Sequence, residues 1–157
     1  MYLCNMRKYR QSWEERIVSG FFSGLWRLIS WPFRRKKGKI SQYGATTVSQ
    51  EEIQARWQKI EDLAKLQGES RFKQAVLDAD NLLDLTIKSM GIRGETMGER
   101  LKNAKGKFSQ QVYDDLWQAH KLRNEIVHNI NYQLVYWQAN GALAKIKKGL
   151  QEQKVIE

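Results

Sequence analysis

Apolar residues from position 49 onward recur every three or four positions, which is the spacing of one buried helix face. Ser49 and Glu52 form the S-x-x-E pattern that often opens a helix. The apolar stripe that follows consists of Ile53, Trp57, Ile60 and Ala64. We therefore expect a first helix from position 49, and Gly68 is expected to end it.

A second helical pattern begins after Gly68, where Ser70 is the expected cap. Its apolar stripe consists of Phe72, Val76, Ala79, Leu83 and Ile87. Residues 90–94 have the composition of a turn, which is a simpler interpretation of Gly91-x-x-Gly94 than a nucleotide-clamping loop. Thr96 and Glu99 form a second S/T-x-x-E pattern and predict a short third helix.

Two more helices complete the pattern. Ser109 is expected to cap a fourth helix with Val112, Leu116, Ala119 and Leu122/Arg123 on one side, and residues 129–131 interrupt it. A last helix is expected over 132–150, and the residues expected to bury there are Leu134, Trp137, Leu143 and Ile146. Trp57, Trp117 and Trp137 are all expected in the core. Because Pro32 is the only proline and no stretch alternates like a strand, the expected fold is all-α, a bundle of four to five helices.

The segment before this domain has a different composition. Residues 17–33 are apolar around a narrow stripe of Ser19, Ser23, Arg27 and Ser30, and a basic run follows them. The expected organisation is a basic N-terminal segment over 1–40 with a membrane-seeking amphipathic helix at 17–33, a linker over 41–48 and a helical domain over 49–157. Expected membrane contacts are Phe21, Phe22, Leu25, Trp26, Ile29, Trp31, Arg34, Arg35, Lys36 and Lys37.

Three arrangements of residues 17–33 stay open at this point. An in-plane interfacial helix tolerates both the length and Arg27. A short spanning helix could use Gly20 and Gly24 as a close-packing face, and a helix docked on a protein surface would bury the same apolar groups. A cleaved signal peptide does not fit, because Trp-Pro-Phe and a basic run stand where small residues are needed. We expect the domain at the cytoplasmic face of the membrane.

Charge and composition narrow the function classes. The net charge is +10, but residues 1–48 carry ten Lys/Arg and two Glu, so residues 49–157 are close to neutral. Nucleic acid binding by the domain would therefore need a local patch. One cysteine, Cys4, excludes an internal disulfide framework, and two histidines in the chain argue against a buried metal centre. No phosphate-binding loop or cofactor motif occurs, so we expect neither a metal nor a cofactor.

The fourth helix carries the strongest candidate chemistry. His120, Asn124 and His128 are spaced four apart and share a helix face, and Arg123 lies beside it. Imidazole can take the proton of an RNA 2′-hydroxyl or protonate a leaving oxygen. A guanidinium can hold the non-bridging phosphate oxygens as charge builds. These residue types suit cleavage of RNA without a metal.

The spacing of Arg123 and His128 limits how they can act together. Five residues turn an ideal helix by roughly 140°, so one straight helix does not bring both to one phosphate. Either the helix loosens near Asn129, or two copies of the motif face each other in a homodimer.

The run Arg123-Asn124-x-x-x-His128 resembles the signature of HEPN domains, in which an arginine, a polar residue and a histidine follow in this order. The resemblance covers roughly residues 70–150 and implies a HEPN-like helical bundle with the motif at the end of a late helix. It further implies a metal-independent endoribonuclease that acts as a homodimer on RNA, such as a toxin, a defence protein or an RNA-processing factor. In that case Arg123 and His128 are catalytic, and Asn124 orients His128 or contacts the substrate. An antitoxin or regulatory protein is a further expected partner. His120 matches no part of the signature. We include it as a possible accessory residue only because it shares a helix face with Asn124 and His128.

A structural interpretation of the same residues also stands. His128 complements a helix dipole, Asn124 can cap or cross-link, and Arg123 can pair internally with Asp80 or Asp84. The chain would then be a non-catalytic helical interaction module that binds a protein or nucleotide at the membrane. Burial of Arg123 and His128 within one bundle would favour this alternative. A shared groove between two protomers would favour the enzyme.

Overall fold

A computed structural model describes residues 48–157, and within this part of the chain the architecture is all-helical, with no strand. The helices are α1 (Gln50–Lys65), α2 (Glu69–Ser89), α3 (Met97–Asn103), α4 (Gln110–His128) and α5 (Tyr136–Glu152), with a 3-10 turn at Lys105–Lys107 between α3 and α4. The prediction of an all-α bundle of four to five helices is confirmed.

Helix α2 is the centre of the bundle, because it packs against α1, α3, α4 and α5. Its buried side chains include the apolar stripe predicted from the sequence, together with Ala75, Leu82 and Thr86. The α4–α5 pair packs beside it. Gly149 of α5 allows this close approach, since a Cβ there would lie 2.8 Å from a Leu116 methyl group. Leu116 itself is fully buried.

Both predicted S/T-x-x-E patterns cap helices. The Ser49 hydroxyl accepts a hydrogen bond from the Glu52 backbone N–H at 3.2 Å, and Thr96 accepts one from Glu99 at the same distance. Each bond satisfies one of the backbone donors that the first turn of a helix leaves without a partner. Ser109 precedes α4 as expected, but its side chain makes no capping bond. It donates instead to the Glu152 carboxylate at the end of α5.

The predicted roles of Gly68 and Ser70 were wrong. Helix α1 ends at Lys65, and Gly68 is the residue from which α2 starts, with the carbonyl of Gly68 accepting from Arg71 and Phe72. Gly68 has a φ of 133°, which side chains with a Cβ rarely adopt, so the reversal between the two helices occurs there. Ser70 consequently lies inside the first turn of α2.

The last helix starts later than predicted, at Tyr136 instead of 132. Leu134 is buried before the helix begins, and its backbone N–H donates to Glu69 at the start of α2. This attachment keeps the chain extended up to Val135. The inner face of α5 is then set by Ala139, Leu143, Ile146 and Leu150, and Trp137 points away from it with 71% of its surface exposed. The prediction that Trp137 is buried was wrong, whereas Trp57 is buried as expected.

An ion pair fixes α3 against α2. The Asp84 carboxylate accepts from Arg100 Nε at 2.6 Å and from Nη2 at 2.9 Å, and Arg100 Nη1 donates to the Gly94 carbonyl. Burial alone would raise the pKa of Asp84, but the hydrogen bonds from Arg100 and Lys88 outweigh it and hold the pKa below its ordinary value. Asp84 is therefore a structural carboxylate, whose two oxygens are engaged by Arg100 and Lys88.

Within residues 48–157 no helix is both long and apolar enough to cross a membrane. The predicted membrane-seeking helix at 17–33 and the basic run after it lie outside the described residues.

The Asp84→Asn variant tests the ion pair. Because the folded-state pKa of Asp84 is lowered, its contribution to the free energy of unfolding is fully present above about pH 4 and is lost as the pH falls through that lowered value. We expect the variant to lose about 1–3 kcal/mol at pH 7 and clearly less near pH 3, as measured by urea unfolding. Asp62→Asn removes an exposed partner of Lys65 and should change the free energy little at either pH. An equal loss for Asp84→Asn at both pH values would contradict this account.

Candidate functional site

The four candidate residues of the site belong to α4, which stays regular over its whole length. They are the motif residues Arg123, Asn124 and His128 and the accessory residue His120. The backbone N–H of Asn129 still donates to the Glu125 carbonyl at 3.0 Å, so the i to i−4 pattern continues to the helix end. His128 is the last helical residue. The loosening near Asn129 that could have brought Arg123 and His128 together in one chain is therefore not observed.

His120 points into the bundle toward α2. Its Nδ1 lies 2.9 Å from Asp80 Oδ1, and both side chains are more than nine-tenths buried. An ionised carboxylate can only accept a hydrogen bond, so this contact assigns the proton to Nδ1. The other ring nitrogen, Nε2, faces Gly98 in α3, where a Cβ would lie 3.7 Å from it. The ring of Trp117 also packs against His120, with the ring centroids 6.0 Å apart and the planes at 72°.

Arg123 approaches the same carboxylate from one turn further along α4. Its Nε lies 3.5 Å from Asp80 Oδ2, which is an ion-pair distance, yet this buried Nε makes no hydrogen bond. Its Nη1 donates to Asn124 Oδ1 at 3.1 Å. About 28% of the Arg123 side chain stays exposed, compared with 3% for Asp80. The guanidinium is thus buried at Nε, while about a quarter of the Arg123 side chain stays exposed.

Asn124 and His128 complete the motif on the outer side. Asn124 is half-buried and contacts Arg123, whereas His128 is exposed at the end of the helix. The shared face of His120, Asn124 and His128 therefore passes from the interior to the surface. His120 and Arg123 meet at Asp80, but the structure does not bring His128 to them, because His128 follows Arg123 by about 140° and roughly 7.5 Å along the axis of a regular helix.

Five exposed large apolar side chains lie close together along the chain, in the last turn of α4, the loop after it and the first turn of α5, and we call this group the end surface. It consists of Val127, Ile130, Val135, Tyr136 and Trp137. Ile130 is 94% exposed and Trp137 is 71% exposed. Leu66 is the one other large apolar side chain that is similarly exposed among residues 48–157. Apolar groups gathered in one exposed place are typical of an interaction site.

Two grooves open on the described domain. The larger, about 910 Å³, lies between α1 and α5 and is lined by Trp57, Glu61, Phe72, Tyr136, Leu143 and Lys147 among others. It contains no motif residue. The smaller, about 290 Å³, lies between α4 and α5 and is lined by Gln118, Leu122, Trp137, Gly141 and Lys145 among others. This smaller groove continues from the end surface at Trp137.

The described residues contain no group of three or more His, Cys, Asp or Glu side chains placed to hold a metal ion. Asp80 and His120 form a pair, and the third member of their cluster, Arg123, is a cation.

From the sequence, Asp80 was expected only as a partner that Arg123 could have. The structure buries it at the centre of the cluster. A signal was present in the sequence, because Ala79 and Leu83 on either side of Asp80 are stripe residues. The end surface was missed because Trp137 was expected in the core.

Comparison of the chain with protein-family models, curated proteins and solved structures gave no match.

Proposed function

We propose that the helical domain is a metal-independent endoribonuclease of the HEPN type, which acts as a homodimer and is held at the cytoplasmic face of the membrane. The observation that carries this proposal is the arrangement of α4, with a histidine exposed at its end and an arginine whose Nε is buried beside Asp80 while 28% of its side chain stays exposed. The order of these residues is that of the HEPN signature, Arg123-Asn124-x-x-x-His128.

The reaction needs proton transfer and stabilisation of negative charge. The 2′-oxygen of the RNA attacks the neighbouring phosphorus, a 2′-O–P bond forms, and the bond from phosphorus to the 5′-oxygen breaks. The 2′-hydroxyl proton goes to a base and a proton reaches the departing 5′-oxygen, which leaves a 2′,3′-cyclic phosphate and a 5′-hydroxyl. In this proposal His128 transfers protons and Arg123 binds the phosphate oxygens, whose charge grows in the transition state. Asn124, in contact with Arg123, orients that side chain.

The regular geometry of α4 supports a site built from two chains. Within one chain Arg123 and His128 diverge, so the phosphate would lie between Arg123 of one copy and His128 of the other. A two-fold axis near the end of α4 would generate two such sites.

The end surface supports the same dimer. It begins beside His128 in the chain, and a second copy seated on it would cover Ile130 and Trp137, which are exposed to water in the single chain. Val127 precedes His128 directly, so an interface here places the two histidine-bearing helix ends next to each other.

The membrane part of the proposal depends on the sequence before the described residues. Residues 17–33 are apolar and the basic run 34–39 follows, a combination that suits insertion into an anionic lipid surface.

One observation favours a second candidate, a non-catalytic interaction module. Arg123 is engaged with Asp80 inside a single bundle, as a structural arginine would be, and the end surface could receive a different protein. The cleavage experiment below separates the two candidates, because a module of this kind does not cut RNA.

The full-length chain should cleave single-stranded RNA in EDTA and leave 2′,3′-cyclic phosphate ends. His128→Ala should lower the cleavage rate by at least about 100-fold, since it removes the group that transfers protons. The exposed position of His128 means that the variant should keep its helical circular dichroism spectrum. Gln133→Ala changes another exposed residue nearby and serves as the control with an unchanged rate. Equal rates for the parent chain and His128→Ala would remove the catalytic role.

Trp137→Glu tests the dimer. A carboxylate on the end surface would be buried without a partner in the dimer, so the variant should be a monomer where the parent chain is a dimer, as measured by light scattering during gel filtration. It should also lose cleavage activity. Ala55→Glu adds the same charge to an exposed position of α1, which is not part of the end surface, and should leave the dimer intact. A monomeric parent chain, or a dimeric Trp137→Glu variant, would contradict the interface.

Flotation with lipid vesicles tests the tether. The full-length chain should float with vesicles that contain anionic lipid, and a chain with Gln in place of Arg34, Arg35, Lys36 and Lys37 should float less, because each basic residue near the surface adds about 1 kcal/mol of attraction. If the full-length chain stays with the soluble fraction, the membrane proposal is wrong.

A further inference from the structure

Two carboxylates on α2 reach across the bundle to arginines, and they do so differently. Asp84 engages Arg100 through two hydrogen bonds, and the third donor group of Arg100 bonds Gly94. All three guanidinium nitrogens of Arg100 are therefore engaged within the bundle, and only 9% of its side chain is exposed to a ligand. Asp80, one helical turn earlier, approaches Arg123 only at Nε, 3.5 Å away and without a hydrogen bond. The one hydrogen bond that Arg123 makes to another described residue uses Nη1.

Asp80 lies at a buried position, where an ionised carboxylate lowers the stability of the fold. Its side chain is 3% exposed and its neighbours on the inner face of α2 are apolar. A buried ion pair does not in general stabilise a fold more than well-packed apolar side chains of similar size. A contribution to the stability of the fold therefore does not by itself explain why Asp80, His120 and Arg123 are placed together.

The cluster has a clear geometric effect on Arg123. The Nδ1–H of His120 fixes one oxygen of Asp80, and the other oxygen then faces the base of the guanidinium. The negative charge lies beside Nε, and the two Nη groups form the opposite end of the guanidinium. A guanidinium can bind phosphate end-on through its two Nη groups, and this mode leaves Nε turned toward Asp80.

We propose that Asp80, oriented by His120, is a positioning residue that holds Arg123 ready to bind the phosphate of the RNA substrate. This inference rests on the proposed endoribonuclease function, and it assigns a role to two residues outside the HEPN signature. Neither Asp80 nor His120 touches the substrate. Their effect reaches the reaction through Arg123 alone.

The experiment compares Asp80→Asn with Asp84→Asn in the full-length chain. Both variants remove one charge from α2 and weaken a contact to an arginine on another helix, but only Asp80 is connected to Arg123. Asp80→Asn should lower kcat by about 10- to 100-fold with KM changed much less, because a misplaced phosphate binder loses its effect mainly in the transition state. Asp84→Asn should lower stability while keeping kcat within about twofold of the parent.

A double-mutant comparison separates positioning from a general loss of structure. Since Asp80 acts through Arg123, Asp80→Asn should cause no further loss of kcat in an Arg123→Ala background. Additive losses in the double variant would overturn the proposal. So would an unchanged kcat in Asp80→Asn, or equal losses of kcat in Asp80→Asn and Asp84→Asn, which would indicate a merely structural role.

A second readout does not depend on cleavage. A guanidinium held at its base rotates slowly about its Nε–Cζ bond, so nitrogen NMR should resolve separate Nη signals for Arg123, assigned by their absence in Arg123→Lys. These signals should merge in Asp80→Asn and persist in Asp84→Asn. If the parent chain does not cut RNA, the proposed function fails, and the NMR comparison still decides whether Asp80 positions Arg123. Separate Arg123 signals in Asp80→Asn would overturn the positioning role whatever the activity.

Discussion

The contact between the Asp80 carboxylate and α4 determines how the candidate site is arranged. A carboxylate that is 3% exposed needs hydrogen bonds and a positive charge nearby, because desolvation of an unpaired anion costs several kcal/mol. His120 and Arg123 meet this need from consecutive turns of α4. Once these two side chains face α2, the rotation of α4 about its axis is fixed, and His128 must lie on the outside of the bundle.

This rotation divides the motif between the interior and the surface. Because α4 is regular up to His128, a single chain offers an arginine on one side and a histidine on another. In the proposed enzyme the second half of the site would come from another copy of the chain. The proposed dimer would also cover Trp137 and Ile130, which are exposed in the single chain.

The elements that depend on local interactions could be predicted from the sequence. The hydroxyls of Ser49 and Thr96 cap helices because the donors they satisfy lie within the next three residues, and the apolar stripes of α1 and α2 follow from helical spacing. The start of α5 could not be predicted, since it depends on Leu134 contacting Glu69, a residue 65 positions away along the chain. Trp137 is off the buried face for a local reason, because the nine-residue step from it to Ile146 turns an ideal helix by about 180°.

In the candidate site, too, some features follow from the local sequence and others depend on tertiary packing. The histidine and arginine of α4 can be identified from residue type and spacing, and so can the divergence of Arg123 from His128. The sequence offers Asp80 and Asp84 as equal partners for Arg123, and only the packing of α2 against α3 and α4 assigns Asp84 to Arg100 and Asp80 to Arg123. By that assignment Asp84 is a structural carboxylate, whereas Asp80 contacts a residue of the candidate site.

The central claim is that one active site takes Arg123 from one chain and His128 from the other, and subunit exchange tests it most directly. His128→Ala and Arg123→Ala chains, each with most of its activity lost when alone, are mixed with different affinity tags so that mixed dimers can be isolated. A mixed dimer has one intact site and one doubly defective site, so the isolated mixed dimer should recover about half the parent activity on RNA in EDTA. Mixed dimers that form and stay inactive would contradict a site shared in this way.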